Sequence, residues 1–423
     1  GNPPTGIALP VKVEVSGIAS NTDQTFIVNP GQIYFVDNVN GNDSNIGDFA
    51  HPFRRVQSNA GKNGFTITSA TVDGAWGLVR AGDFIIMRGT GTAWTDVGYN
   101  NAFFGTQNKS GCAIGTNCPA GGGTSSGPIT LMGYPTEDVF INSVYNPSQY
   151  GAAIRSADSA RQALGYGSWI TVVNLRVEGG REEGVIATEK GWVNPNGSYW
   201  RVINNELTAY SAVNNINAKG AGVAGSGIGQ IWFGNHIHDI YCGPDNGSSP
   251  LQNHGFYLDG NGSWEIAYNN VHHIFGGNGI SLYNNGTTTH TPFISSDNNI
   301  DNLNFHHNLI HDVRKHGLNI ADGSRNGLIL SNNIIYNISQ YGLRFNTNDR
   351  HLVKVLNNTF FNIMTNGPGA YPAIANTWAP FPVDAVEFRN NIFVTAASNI
   401  SYGVNSFNAA TTLVSNNLWY GGT

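Results

Sequence analysis

LNFHHNLIHDVRKHGLNIADGSRNGLILSNNIIYNISQYGLRFN, Leu303 to Asn346, contains one pattern twice, 25 residues apart. HNLIHDV (307–313) returns as NNIIYNI (332–338), and HGLNIA (316–321) returns as YGLRFN (341–346). Working outward, the first motif recurs as GNHIHDI, YNNVHHI, NNTFFNI, NNIFVTA and NNLWYGG, anchored at Asn235, Asn269, Asn308, Asn333, Asn358, Asn391 and Asn417. Successive anchors are 34, 39, 25, 25, 33 and 26 residues apart. An apolar residue stands three positions before each anchor: Trp232, Ile266, Phe305, Leu330, Val355, Phe388 and Val414. Others follow at two (Ile237, Val271, Ile310, Ile335, Phe360, Phe393, with Leu418 displaced by one) and at five (Ile240, Ile274, Val313, Ile338, Ile363). Two short strands joined at an Asn corner, repeated about every 25 residues, read as coils of a parallel β-helix. WITVVNLRVEGG and WRVINNELTAY carry the repeat back to about Trp169.

Composition agrees with an all-β chain. Gly numbers 54, and charged residues make up only 11% against a usual share of about 25%. Such a mixture favours turns and short strands over helices. No apolar run is long enough to span a membrane, and a net charge of −6 without a basic tail gives no reason to expect nucleic acid. Nothing at Gly1 reads as a signal peptide, so any export sequence has been removed or was never present. Cys112 and Cys118 could pair in a Gly-rich loop while Cys242 has no obvious partner, and three cysteines decide nothing. The expected organisation is an appended segment over 1–31 and a single right-handed parallel β-helix over 32–423, as a monomer.

Two ladders need weighing. Stacked corner asparagines bond side chain to backbone, which is a structural role. His238, His272 and His311 share a second column and invite a metal, but Tyr336 and Phe361 continue it, so it reads as a stacking ladder and no metal is assigned.

Each coil also has a glycine-led strand: HGFYLD at Gly255, NGISLY at Gly279, HGLNIA at Gly317 and YGLRFN at Gly342. Alternation sends Phe256/Leu258, Ile280/Leu282, Leu318/Ile320 and Leu343/Phe345 inward. The outward set is then His254, Tyr257 and Asp259; Asn278, Ser281 and Tyr283; His316 and Asn319; Tyr341, Arg344 and Asn346. Aromatic rings and amides are what sugars bind. Extra residues at 242–253, 284–299 and in NGPGAYPAIANTWAPFPV (366–383) fall beside the same strands, as walls of a groove.

The N-terminal third adds IYFVDNVNGNDSNIGDFAHPFRRVQ (33–57), VRAGDFIIMRG (79–89) and GPITLMGYPTEDVFINS (127–143). In that order these resemble the start of secreted right-handed β-helix proteins of the superfamily containing chondroitinase B, alginate lyases and some pectate lyases. The resemblance implies a secreted, carbohydrate-active protein. It also implies chemistry by a Lys and an Arg on neighbouring coils beside Ca²⁺ held by Asn and Glu. Lys315 and Arg344 sit on neighbouring coils here, but no matching pair of glutamates stands on the groove. The oxygen-rich DNVNGNDSNIGD (37–48) offers a structural Ca²⁺ site, which turn chemistry explains nearly as well.

The principal expectation is therefore a lyase that cleaves a uronic-acid polysaccharide by β-elimination. That reaction needs a cation on the carboxylate, a base for the C5 proton and an acid for the leaving oxygen. Arg344 suits the first role, Lys315 or His316 the second, and Tyr341 or Tyr257 the third, with His254 beside them. Asn278, Ser281, Tyr283, Asn319 and Asn346 would bind sugar. One alternative is a glycoside hydrolase using Asp259 with a second carboxylate such as Asp245. Another is a non-catalytic glycan-binding fibre or adhesin.

Overall fold

The structure is a computed structural model that describes residues 8–10, 14–16, 18–19, 25–27, 31–56, 74–75, 78–95, 102–104, 122–142, 154–156, 168–179, 186–187, 199–211, 221–225, 228–242, 253–259, 263–283, 302–321, 325–346, 350–363, 373–376, 386–394 and 410–420. Among these residues there is no α-helix, and no helix is long and apolar enough to cross a membrane.

Three sheets of twelve, ten and nine strands, parallel throughout, run the length of the chain. The first begins at Ile33–Val36 and ends at Leu413–Ser415. The second runs from Phe140–Asn142 to Leu418–Tyr420, and the third from Ala102–Phe104 to Ile374–Asn376. Through the middle of the chain each coil gives one strand to each sheet, and each strand pairs with its counterparts one coil away. Ahead of them lie two small antiparallel pairs, Ala8–Pro10 with Thr25–Ile27 and Glu14–Val15 with Ile18–Ala19. This is the right-handed parallel β-helix expected from the repeat.

The corner between the first two sheets explains the Asn anchor. In each coil the residue before it adopts a left-handed backbone, as at Tyr268, His307, Asn332, Asn357 and Asn390, with φ between 55° and 57°. Asn tolerates that conformation best among residues with a side chain, which is why the anchor is so often preceded by a second Asn. The anchor then bonds in two directions. Asn333 donates through Nδ2 to the Phe305 carbonyl at 3.0 Å, and its Oδ1 accepts the Asn308 amide at 2.9 Å. Equivalent bonds link Asn205 through Asn417, and the ladder is buried from Asn205 to Asn391, leaving few corner groups there without a partner.

A second left-handed residue interrupts the second sheet at Asp239, His273, Asp312, Asn337 and Asn362. The pairing skips it, running His272↔His311 and then Ile274↔Val313. Two inward residues are thus separated by three positions instead of two, which accounts for the apolar spacing of plus two and plus five. Ile310, Val313, Ile335 and Ile338 are all buried there.

The third sheet starts at a column of glycines because a side chain has no room. A Cβ on Gly317 would lie 2.7 Å from both the Gly342 carbonyl oxygen and Ile335 Cγ2. Beyond the glycines, Phe256/Leu258, Ile280/Leu282, Leu318/Ile320 and Leu343/Phe345 are buried as alternation requires, so their neighbours face away from the core.

Candidate functional site

The outward face of the third sheet carries two columns. In the first, Tyr257, Ser281, Asn319 and Arg344 are register partners across four coils. The second stands before the glycines and consists of His254, Asn278, His316 and Tyr341. The first three members each accept the backbone amide of the next coil. Asn278 N–H donates to His254 Nδ1 at 3.0 Å, His316 N–H to Asn278 Oδ1 at 3.3 Å, and Tyr341 N–H to His316 Nδ1 at 3.4 Å.

These bonds change how the face presents itself. His254, Asn278, Ser281, His316 and Asn319 point outward in register yet are buried, His316 to 5% exposure. Coils about 4.8 Å apart stack their side chains on one another, and the tyrosines add cover. The Tyr257 ring lies 5.7 Å from that of His254, and Tyr341 lies 5.2 Å from His316. Tyr257, Lys315, Tyr341, Arg344 and Asn346 keep partial access to solvent. The strand positions of Asp259 and Tyr283 lie on this sheet, but their side chains are not among those described. Asp245, Cys112, Cys118 and most of the inserted segments expected as groove walls also lie outside the described residues.

Lys315 and Arg344 stand one coil and four positions apart, a backbone distance on the order of 14 Å. The Arg344 side chain closes part of it. Arg344 turns back along its strand, with Nη1 3.4 Å from His316 Nε2 and 3.4 Å from Asn319 Oδ1, while Nη2 donates to Asn346 Oδ1 at 3.1 Å. Lys315 is tied by its backbone to the coils on both sides, its amide donating to the Gly277 carbonyl and its own carbonyl accepting from Gln340.

Electrostatics follow from this crowding. Burial, then the charges of Arg314 and Arg344, lower the Lys315 ammonium below its ordinary value. Burial, then Arg344, Lys315 and His254, push His316 down to about 3, and burial with Lys315 does the same to His254. Both imidazoles are neutral at ordinary pH. The Asn278 amide fixes the neutral His254 as the tautomer protonated on Nε2. The assembly is thus a fixed guanidinium, a destabilised ammonium and a neutral imidazole on two adjacent coils.

A pocket of about 270 Å³ lies elsewhere, over the corner of the first and second sheets, and Glu137, Asp138, Arg176, Glu206 and His236 are among its lining. Two of its acids are committed to ion pairs, Glu137 with Arg88 at 2.6 Å and Asp138 with Arg176 at 2.6 Å. Those partners lower both carboxyls below their usual range, so neither is suited to donate a proton near neutrality.

The three-sheet coil defines the class of the molecule, a right-handed parallel β-helix, and residues 233–378 match the family model of the right handed beta helix region. Among solved structures, the chain is similar to the pectate lyase Pel9A at 15% identity, with 91% of this chain and 79% of that one aligned and a TM-score of 0.49. It is similar to a PL6 family polysaccharide lyase from Pseudopedobacter saltans at 14% identity, over 82% and 90% of the two chains, with a TM-score of 0.35. A GH136 lacto-N-biosidase from Eubacterium ramulus aligns at 11% identity over 92% and 68%, with a TM-score of 0.45. No curated protein matches the sequence.

Proposed function

We propose that the protein is an extracellular polysaccharide lyase that cleaves a uronic-acid-containing polymer by β-elimination in the groove over the third sheet. The observation that carries this reading is the Arg344 guanidinium 3.4 Å from His316, with Lys315 the residue before His316 in the chain. Arg344 is the carboxylate partner. Its charge is permanent, its donors are forked, and Asn319 and Asn346 accept from the fork beside His316. Pairing with that charge makes the C5 proton more acidic.

Lys315 serves as the base. A useful base has a pKa near the working pH, and Lys315 is shifted towards that range from above. His316, held to about 3, is too weak a base and is covered, so it packs against Arg344 without taking the proton. As Lys315 takes the C5 proton, the C5–H electron pair forms the C4–C5 double bond and the C4–O bond breaks. Tyr341 protonates the departing oxygen, one strand end from Lys315. Tyr257 offers an aromatic face for the next sugar along the groove.

Incubation with alginate, pectate, chondroitin sulfate and a neutral glycan tests this. Unsaturated products absorbing in the ultraviolet, from an acidic polymer only, are the expected result. New reducing ends without unsaturation would make the enzyme a hydrolase, and neither product would make the groove a binding surface.

A further inference from the structure

The second sheet holds a cluster that the lyase reading does not use. His238, His272, His311 and Tyr336 stack down one column, with rings within 8° of parallel at 5.2, 4.8 and 4.7 Å. Stacking accounts for that column. It does not account for His236. The register partner of His236 on the next coil is Asn270, yet its Nε2 reaches across to lie 2.7 Å from Nε2 of His272. Its ring centroid is also 4.2 Å from that of His238. One ligating nitrogen from each of His236, His238 and His272 lies within 4.8 Å of the others.

The surroundings prepare these nitrogens as ligands. Asp239 Oδ2 lies 2.8 Å from His238 Nδ1 and accepts its proton, which leaves the Nε2 lone pair of the neutral ring free. That nitrogen faces Glu206 Oε1 at 3.4 Å, so two acceptors oppose each other with a cation-sized gap between them. Glu206 is the register partner of His236 on the preceding coil. The Asn270 Oδ1 atom is buried beside this strand pair with no hydrogen-bond partner. A carboxylate holding the far nitrogen of a ligating imidazole is the usual support of a metal-bound histidine. Four ligand atoms around a zinc-like ion at about 2.0–2.1 Å stand roughly 3.4 Å apart, a spacing these contacts bracket.

We propose that His236, His238, His272 and Glu206 bind one divalent transition-metal ion of the zinc class, linking three successive coils. Imidazole with one carboxylate suits Zn²⁺, Ni²⁺ or Cu²⁺ rather than Ca²⁺ or Mg²⁺. With all four positions filled by protein, the site is structural.

The test uses the full chain stripped with a chelator and dialysed. Calorimetric titration with ZnCl₂ should give one equivalent of binding and raise the melting temperature. Substitution with Co²⁺ should give the visible absorption of a four-coordinate ion. His236 is exposed, so His236→Ala should fold and lose stoichiometric binding. Asp239→Asn should weaken binding about 10–100-fold while leaving the ligands in place. Sub-stoichiometric binding by the wild-type chain, or binding unchanged in His236→Ala combined with His272→Ala, overturns the site. The short His236–His272 contact would then be a single shared proton.

Discussion

Arg344 Nη1 lies 3.4 Å from His316 Nε2 on the preceding coil. Both the guanidinium and the Tyr341 amide, which approaches Nδ1 from the other side, are donors, whereas a neutral imidazole offers one lone pair and one N–H. The ring therefore accepts from one of them only, and a second ring proton would face a donor at both nitrogens. These neighbours favour the neutral imidazole.

Removing the guanidinium tests its role on the substrate. Arg344→Ala should lower kcat on the acidic polymer by about 10²–10³, the cost of losing one preorganised donor to developing charge. Arg344→Lys should recover only part of this, since a single ammonium cannot engage Asn319, Asn346 and a carboxylate together. Initial rates of ultraviolet absorbance measure both.

Lys315 must be deprotonated to act, so the rate should rise with pH through its folded-state pKa, which lies below the ordinary lysine value. Removing either neighbouring cation should move that limb upward, because a like charge disfavours the ammonium. Arg314→Ala is the informative variant, since Arg314 is exposed and touches no proposed substrate group. A limb that stays in place would remove Lys315 as the base.

Stability should also depend on pH. The unfolded chain binds protons to His254 and His316 below about 6.5, whereas the folded chain does so only near 3. Their contribution is therefore complete above pH 6.5 and is lost as pH falls towards 3. The slope is up to about 1.4 kcal/mol per pH unit for each imidazole. Denaturant midpoints over that window should show it, and His316→Asn should flatten the curve by one proton.

Asp259 supplies the counter-test. Its strand position pairs with that of Tyr283 on the third sheet. Asp259→Asn should leave the yield of unsaturated product within a few-fold of wild type. Loss of turnover in that variant, with wild-type products carrying reducing ends and no double bond, would assign the acid chemistry of a hydrolase.

Periodicity carried most of the fold. Columns at minus three, plus two and plus five from each Asn already contain the corner and the bulge, because left-handed residues leave their mark as Asn, Asp or His before or after fixed apolar positions. Register likewise gave the facing of His316 and Arg344. Cover was not legible. Alternation says that His254, Ser281 and Asn319 point away from the core, but whether water reaches them depends on side chains stacked from the next coil. The return of Arg344 towards His316 was hidden for a similar reason, since a long side chain spans several register positions. His236 escaped attention because column logic assigns it to Asn270, and only its rotamer brings it to His272.

The Asn ladder has a consequence for how such a molecule can change. Rungs separated by 25 residues and rungs separated by 39 have nearly the same geometry, with amide-to-Oδ1 distances of 2.9 and 3.0 Å. Chain added between rungs is therefore invisible to the scaffold, which registers only where the next asparagine arrives. Segments between rungs can be lengthened, exchanged or grafted from elsewhere without renegotiating the stack, so loop content and solenoid integrity are free to evolve, or be engineered, on separate tracks.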